Sequence, residues 1–247
     1  QRIRVKPADP LAVLAGHLEH AAVEHGRHGP QTRHELEYRL QWPNGEVHTL
    51  SCIFHVTFDL DGKAIRLTGV QLDITERKLS EERILHMATH DGLTGLANRV
   101  LLSDRLQQAI AVAQRDPRMI ALLFIDLDHF KQINDTLGHS MGDELLKHVG
   151  EKISTLMRQS DTLARIGGDE FIVLLPSIRW QGESIAVAQK IIAALDEEIV
   201  IDGVSFNISP SIGISIYPSD GADAESLLRN ADIAMYRAKA SGRNTYQ

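Results

Sequence analysis

Two clusters of carboxylates stand at the ends of apolar runs, and each is suited to holding a hard cation. Arg118-Met-Ile-Ala-Leu-Leu-Phe-Ile125 is short and almost continuously apolar, the pattern of a strand buried on both faces, and it ends in Asp126-Leu127-Asp128. The second cluster is Arg165-Ile166-Gly167-Gly168-Asp169-Glu170-Phe171, in which two glycines and two acids between apolar residues describe a tight hairpin that presents acids to a ligand. Gly-Gly is also an ordinary hairpin connection, so this segment alone reads equally well as a solvated turn. The second acidic strand end changes that balance. Asp126 with Asp169 or Glu170 supplies oxygen ligands from two neighbouring strands and leaves room for phosphate oxygens, which suits Mg²⁺ because it rarely sits in an all-protein cage.

With these residues in view, the chain resembles the GGDEF family of diguanylate cyclases from about Asp91 to Asn244. In order, the stretches that carry the resemblance are Asp91-Gly-Leu-Thr-Gly-Leu-Ala-Asn-Arg99, Asp126-Leu-Asp-His-Phe-Lys-Gln-Ile-Asn-Asp135, and Gly138-His139 with Gly142-Asp143. Arg158-Gln-Ser-Asp161, Gly167-Gly-Asp-Glu-Phe171 and Ala238-Lys-Ala-Ser-Gly-Arg-Asn244 follow. The resemblance implies an α+β, palm-like nucleotide cyclase fold with a central, mostly antiparallel sheet. It also implies an enzyme that condenses two GTP into cyclic di-GMP and two pyrophosphates, each 3′-hydroxyl attacking the other's α-phosphate. A homodimer follows, because each domain carries one GTP. The alternative within the family is a module that binds GTP or cyclic di-GMP and regulates a neighbouring phosphodiesterase domain.

The barrier to such a reaction is charge and alignment, which two metal ions lower by activating the hydroxyl and neutralising phosphates. By resemblance, the catalytic acids are Asp126, Asp169 and Glu170. The ligands to two Mg²⁺, with Mn²⁺ as an alternative, are Asp126, the Leu127 carbonyl, Asp169 and Glu170. Asp169 occupies the position assigned to proton abstraction, where many relatives carry Glu. Gly167 and Gly168, lacking side chains, let a phosphate approach the backbone. Asn134 and Asp143 match the family's guanine readers, although both would otherwise read as capping or solvated positions. Phe130 and Lys131 follow the metal strand where backbone amides cradle phosphates. Lys239 and Arg243 add positive charge, as residues at a helix C-terminus also do for dipole reasons alone. His139 lies within a family motif and is a nucleotide contact by resemblance. Arg158 and Asp161 have the spacing of the family's product-inhibition site, where Arg stacks on guanine; otherwise they form a surface ion pair worth little.

The 247 residues are 43% hydrophobic and 24% charged, ordinary for a soluble globular protein of one or two domains. With 26 basic and 33 acidic residues the net charge is −7, which excludes a broad basic footprint for a nucleic-acid polymer. Cys52 is the only cysteine and sits among apolar neighbours, as expected of a buried small hydrophobe in a reducing, cytoplasmic compartment. No stretch is long and apolar enough to span a bilayer. The chain lacks an initiator Met, so the expectation is a fragment whose parent protein is free to be attached to a membrane elsewhere.

Around the acids the pattern predicts a helix from Asn98 to Arg115, a strand at 118–126, a short helix near Lys131 and a helix from Gly142 to Arg158. Strands at Thr162–Ile166 and Phe171–Leu175, a helix from Gly182 to Leu195, strands within 198–217 and a helix from Ala224 to Ala240 complete this part. Upstream, Asp9-Pro10 opens a helix to about Glu24. Strands then follow at His34–Gln41, Val47–Phe58 and Ile65–Leu72, joined by turns at Asn44-Gly45 and Asp61-Gly62. Tyr38-Arg39, Asn44-Gly45 and Asp73-Ile74-Thr75 give this segment a resemblance to the C-terminal half of a PAS sensor domain. Its first strands and helices are missing and its ligand is unknown. The expected organisation is a partial PAS unit at 1–75, a linker helix at 76–90 and a catalytic domain at 91–247.

Overall fold

The computed structural model describes residues 33–59, 64–116 and 118–247. The helix expected between Asp9 and Glu24 and the turn at Asp61-Gly62 lie outside them. The chain divides into two compact units between Leu85 and His86.

The first unit is an antiparallel meander of β1 (Arg33–Gln41), β2 (Val47–Phe58) and β3 (Ala64–Asp73), in that order. Alternation along β1 and β2 sends Tyr38, Leu40, Leu50, Cys52, Phe54 and Val56 to one buried face. Gly45, at φ 89°, turns β1 into β2, and the Asn44 side chain accepts from the Glu46 amide at 3.0 Å. After β3, Asp73 fixes the start of helix α1 (Thr75–Thr89). Its carboxylate accepts from the Thr75 hydroxyl at 2.6 Å and the Thr75 amide at 2.9 Å, and it pairs with His48 Nδ1 at 2.7 Å. Those hydrogen bonds, Thr75 foremost, pull the Asp73 pKa down to about 2.

In the second unit the elements run α2 (Arg99–Arg115), β4 (Met119–Leu127), α3 (Phe130–Leu137), α4 (His139–Ser154), β5 (Thr162–Gly167) and β6 (Glu170–Ile178). Then come α5 (Gly182–Asp196), β7 (Ile199–Ile201), β8 (Val204–Phe206), β9 (Pro210–Tyr217), α6 (Ala224–Ala240) and β10 (Thr245–Tyr246). The central sheet has the order β10-β9-β4-β6-β5, antiparallel except that β10 lies parallel to β9. This is the α+β architecture expected. Strand β4 is central and buried on both faces. Ala121, Leu123 and Ile125 pack with α4 and α5, whereas Ile120, Leu122 and Phe124 pack with α2 and α6. Helix α6 lies almost in backbone contact with β9, because a Cβ at Gly213 would collide with the Ala231 carbonyl and the Met235 amide.

Four elements add to or depart from the sequence expectation. Helix α4 spans His139–Ser154 rather than Gly142–Arg158. It begins straight after Gly138, at φ 87°, and its end tightens through Leu156 N to Ile153 O and Met157 N to Ser154 O bonds. Arg158 is therefore in a loop. Strands β7 and β8 form a ribbon separate from the main sheet, and β10 is an additional edge strand.

Candidate active site

Strand register brings the two acidic clusters together. β4 and β6 pair so that Asp126 lies directly opposite Glu170, and the Leu127 amide donates to the Asp169 carbonyl at 3.3 Å. Asp126 is only 6% exposed, and its Oδ1 accepts from Lys239 Nζ, at the end of α6, at 2.7 Å. Burial raises the Asp126 pKa to about 6; Lys239 opposes that, while Asp169 and Glu170 add to it by repulsion. Glu170 is raised too, by burial and then by Asp169 and Asp232, against the pull of Arg99 and Lys239. Asp232 and Arg99 are participants that pattern reading missed, since each only faces the site once α6 and the start of α2 are packed on the sheet.

Asp128, two residues from Asp126, plays a different part. Its carboxylate accepts from Ser209 Oγ at 2.9 Å, Ser211 Oγ at 2.8 Å and the Asn244 amide at 3.2 Å, with Arg243 Nε 3.8 Å away. It fastens the end of β4 to β9 and to the left-handed turn at Arg243 (φ 64°) and Asn244 (φ 46°). Arg243 is thereby placed beside the acidic strand end.

The glycine hairpin is held from outside. Gly168, at φ 53°, turns β5 into β6, and its carbonyl accepts from Arg165 Nε at 3.0 Å and Nη2 at 2.8 Å. Arg165 Nη1 also donates to both oxygens of Asp91, at 2.9 and 3.1 Å. Burial disfavours the charged form of Asp91, but hydrogen bonds from Thr94 and Arg165 outweigh it and hold the pKa below the ordinary value. Asn98 caps α2 by accepting from the Val100 and Leu101 amides. The Asp91–Arg99 stretch is thus a brace for the hairpin.

His129 adopts φ 62°, which swings the chain from β4 into α3 and sets Phe130 and Lys131 at the helix start. The Phe130 side chain is buried in the core, so a ligand would meet its backbone, while Lys131 is exposed. Asn134 is half-buried, and its Oδ1 is buried without a donor among the described residues. It packs where Gly142 has no side chain, since a Cβ there would collide with Asn134 Oδ1. His139 and Asp143 lie exposed on the first turns of α4.

Arg158 and Asp161 do not join the carboxylates. They share a loop in which the Arg158 amide donates to Asp161 Oδ2 at 2.9 Å, and the Arg158 guanidinium lies 3.6 Å from Glu183. Both line a cavity of about 420 Å³ together with His90, Leu96 and Arg105, whose Nη1 donates to Thr162 Oγ1 at 2.8 Å. Arg105 was not singled out from the sequence, being remote from Arg158 along the chain. A larger cavity, about 830 Å³, lies at the far ends of β4, β6 and β9 beside Met119, Ile178 and Tyr217, and contains none of the expected residues.

Residues 88–245 match the family described as "Diguanylate cyclase, GGDEF domain". The chain belongs to the GGDEF family. This GGDEF chain is 46% identical over 167 residues to the bifunctional diguanylate cyclase/cyclic di-GMP phosphodiesterase MucR of Pseudomonas aeruginosa, a match covering 68% of the chain and 24% of MucR. It is 39% identical over 216 residues to the diguanylate cyclase TpbB of the same species, covering 86% of the chain and 48% of TpbB. The matches thus span about a quarter to a half of these relatives. The crystal structure of the TpbB GGDEF domain superimposes with a TM-score of 0.61 at 40% identity, covering 62% of the chain and 95% of that domain. The coiled coil and GGDEF domain of DgcB from Caulobacter crescentus, solved with cyclic di-GMP, gives a TM-score of 0.63 at 30% identity, covering 69% of the chain and 91% of DgcB's.

The acids of this GGDEF unit fit a divalent cation. Asp126 offers a buried oxygen facing Glu170, and an ammonium already rests on it at 2.7 Å. Among the described residues no three His, Cys, Asp or Glu side chains enclose a metal position by themselves. A cation there would complete its shell with a carbonyl, water or phosphate oxygens, as Mg²⁺ does. No helix among the described residues is long and apolar enough to cross a membrane.

Proposed function

We propose that this protein is a diguanylate cyclase that joins two GTP into cyclic di-GMP and two pyrophosphates, as a homodimer with one GTP per catalytic unit. The observation that carries the reading is the β4–β6 register, which sets buried Asp126 opposite Glu170 with Asp169 adjacent and Lys239 in contact. Asp126, the Leu127 carbonyl, Asp169 and Glu170 would hold two Mg²⁺ or Mn²⁺ ions. When bound, the ions activate the attacking hydroxyl and screen phosphate charge. Asp169 takes the 3′-hydroxyl proton in this reading. Gly167 and Gly168 open the hairpin backbone to the α-phosphate side, while the amides at Phe130 and Lys131, with the side chains of Lys131, Lys239 and Arg243, hold the outer phosphates. Asn134 and Asp143 read guanine. The unpartnered Asn134 oxygen supports this, since a buried acceptor without a donor is costly unless a ligand supplies one. His139 borders the nucleotide.

Arg158 and Asp161 bind product in the neighbouring cavity, lowering the rate as cyclic di-GMP accumulates. The segment 1–75, which includes the strands β1 to β3, acts as a PAS-type sensor remnant and the linker at 76–90 joins it to the catalytic unit at 91–247, in the cytoplasm. Incubation with Mg²⁺ and GTP, followed by mass analysis for cyclic di-GMP and pyrophosphate, tests the activity. Absence of product at concentrations where the protein is dimeric would instead favour a nucleotide-binding module that regulates a neighbouring phosphodiesterase domain.

A further inference from the structure

The end of β4 carries two buried acids, and they are neutralised in opposite ways. Asp128 is satisfied by fixed groups, namely the hydroxyls of Ser209 and Ser211 and the Asn244 amide. None of these three can leave without unfastening β9 or the turn at Arg243 and Asn244, and Arg243 adds only a longer contact of 3.8 Å. Asp126 has a single cationic contact among the described residues, Lys239 Nζ at 2.7 Å. That ammonium sits at the end of a flexible four-carbon stem in the last turn of α6, and its side chain is 30% exposed. It can swing to solvent without disturbing the helix.

We propose that Lys239 is an exchangeable counter-ion: it occupies Asp126 in the empty site, and arrival of a divalent cation displaces its ammonium onto a nucleotide phosphate, coupling cation loading to phosphate capture. The inference rests on the metal-site reading above. An isolated buried carboxylate facing Glu170 and Asp169 is unfavourable, and the ammonium offsets that cost until a stronger cation competes for the same oxygen. A dication on Asp126 then repels Lys239 at contact distance, while a triphosphate attracts it. Because coupling between two ligands is reciprocal, the cation and the nucleotide each strengthen the other's binding through this one side chain.

The test is Mn²⁺ binding, followed by electron paramagnetic resonance, in nucleotide-free protein in mildly alkaline buffer. Wild type is compared with Lys239→Gln, Arg243→Gln and Asp126→Asn, each checked for an unchanged thermal melt. The titration is then repeated with a saturating GTP analogue that cannot react at its α-phosphate. Lys239→Gln relieves the competition, so nucleotide-free Mn²⁺ affinity should rise about tenfold, the order expected for losing one charge-assisted contact. The gain in Mn²⁺ affinity conferred by the analogue should shrink by a similar factor. Arg243→Gln removes the same charge from beside Asp128 and should leave nucleotide-free affinity near wild type. Unchanged or weaker Mn²⁺ binding in Lys239→Gln overturns the exchange, and so does equal tightening in both variants, which would mean only a through-space charge effect. Mn²⁺ binding that is indifferent to Asp126→Asn would sink the metal site itself, a result separate from either of these.

Discussion

Replacing Asp91 with Ala removes the outer anchor of the glycine hairpin without touching the carboxylate site. Asp91 accepts two hydrogen bonds from Arg165 and two from Thr94, and the Arg165 and Asp91 side chains are only 10% and 20% exposed. Breaking one partner of a fully buried ion pair costs about 3–5 kcal/mol, and a single hydrogen bond to a charged group about 1.5–3 kcal/mol. Arg165 keeps its two bonds to the Gly168 carbonyl, and water reaches part of Asp91, so the expected loss is about 2–3 kcal/mol. For a unit of this size that lowers the melting temperature by roughly 5–10 °C, measurable by circular dichroism. The effect has a signed pH dependence. The folded pKa of Asp91 lies below its unfolded value, so its contribution is fully present above about pH 4 and is lost as pH falls through the folded pKa. The gap between wild type and variant should therefore be widest near neutrality and close in acid. A melt unchanged at neutral pH, or a gap that widens on acidification, would refute the brace. Turnover should also fall at temperatures where the variant remains folded, because Arg165, which holds Gly168, is then itself unanchored.

Asp126→Asn should abolish cyclic di-GMP formation while changing stability by no more than about 1 kcal/mol, since burial already penalises the charge that is removed; near wild-type synthesis with Mg²⁺ would remove Asp126 from the metal site. Asn134→Ala should leave the nucleotide-free protein no less stable, because its Oδ1 is buried without a donor, yet reduce preference for GTP over ATP in competition binding by about 1–3 kcal/mol; an unchanged preference would exclude it from the base site. Arg158→Ala should raise the half-inhibitory concentration of cyclic di-GMP without removing synthesis, and superimposable inhibition curves at equal dimer content would return Arg158 and Asp161 to a surface role.

The acidic ends of β4 and β6 were legible because one acid pair closes an apolar run and the other opens one, and two-sided burial leaves such a mark on sequence. Their meeting in register required only that the two strands be neighbours. The end of α4 was not legible. Leu156 continues the helix's apolar spacing, but the chain turns there and Asp161 accepts from the Arg158 amide instead, a local bond that competes with the helix. The two-residue strand β10 is too short for alternation to register. The contrast between Asp126 and Asp128 was also hidden, because it depends on Ser209, Ser211 and Asn244, which lie far along the chain and arrive only with the fold. Arg105 and Asp232 were invisible for the same reason. Charged positions on helices look solvated until the helix is laid on its sheet.

Central placement of β4 has a consequence for motion. Its amides and carbonyls are shared between β6 and β9, and Ile120 to Leu127 are buried throughout, so its hydrogen exchange should require opening of the whole unit. β5 has one strand neighbour, with Ala97 bridging its other side at Ala164 and Arg165, and the turn at Gly167 and Gly168 leads out of it, so its exchange should be faster than that of β4. Asp126 is therefore mounted on the most enclosed strand of the described sheet, and Asp169 on a turn whose position is set from outside by Arg165 and Asp91. One acid is set as an anvil and the other as a jaw, and the Arg165–Asp91 brace fixes the gap between them.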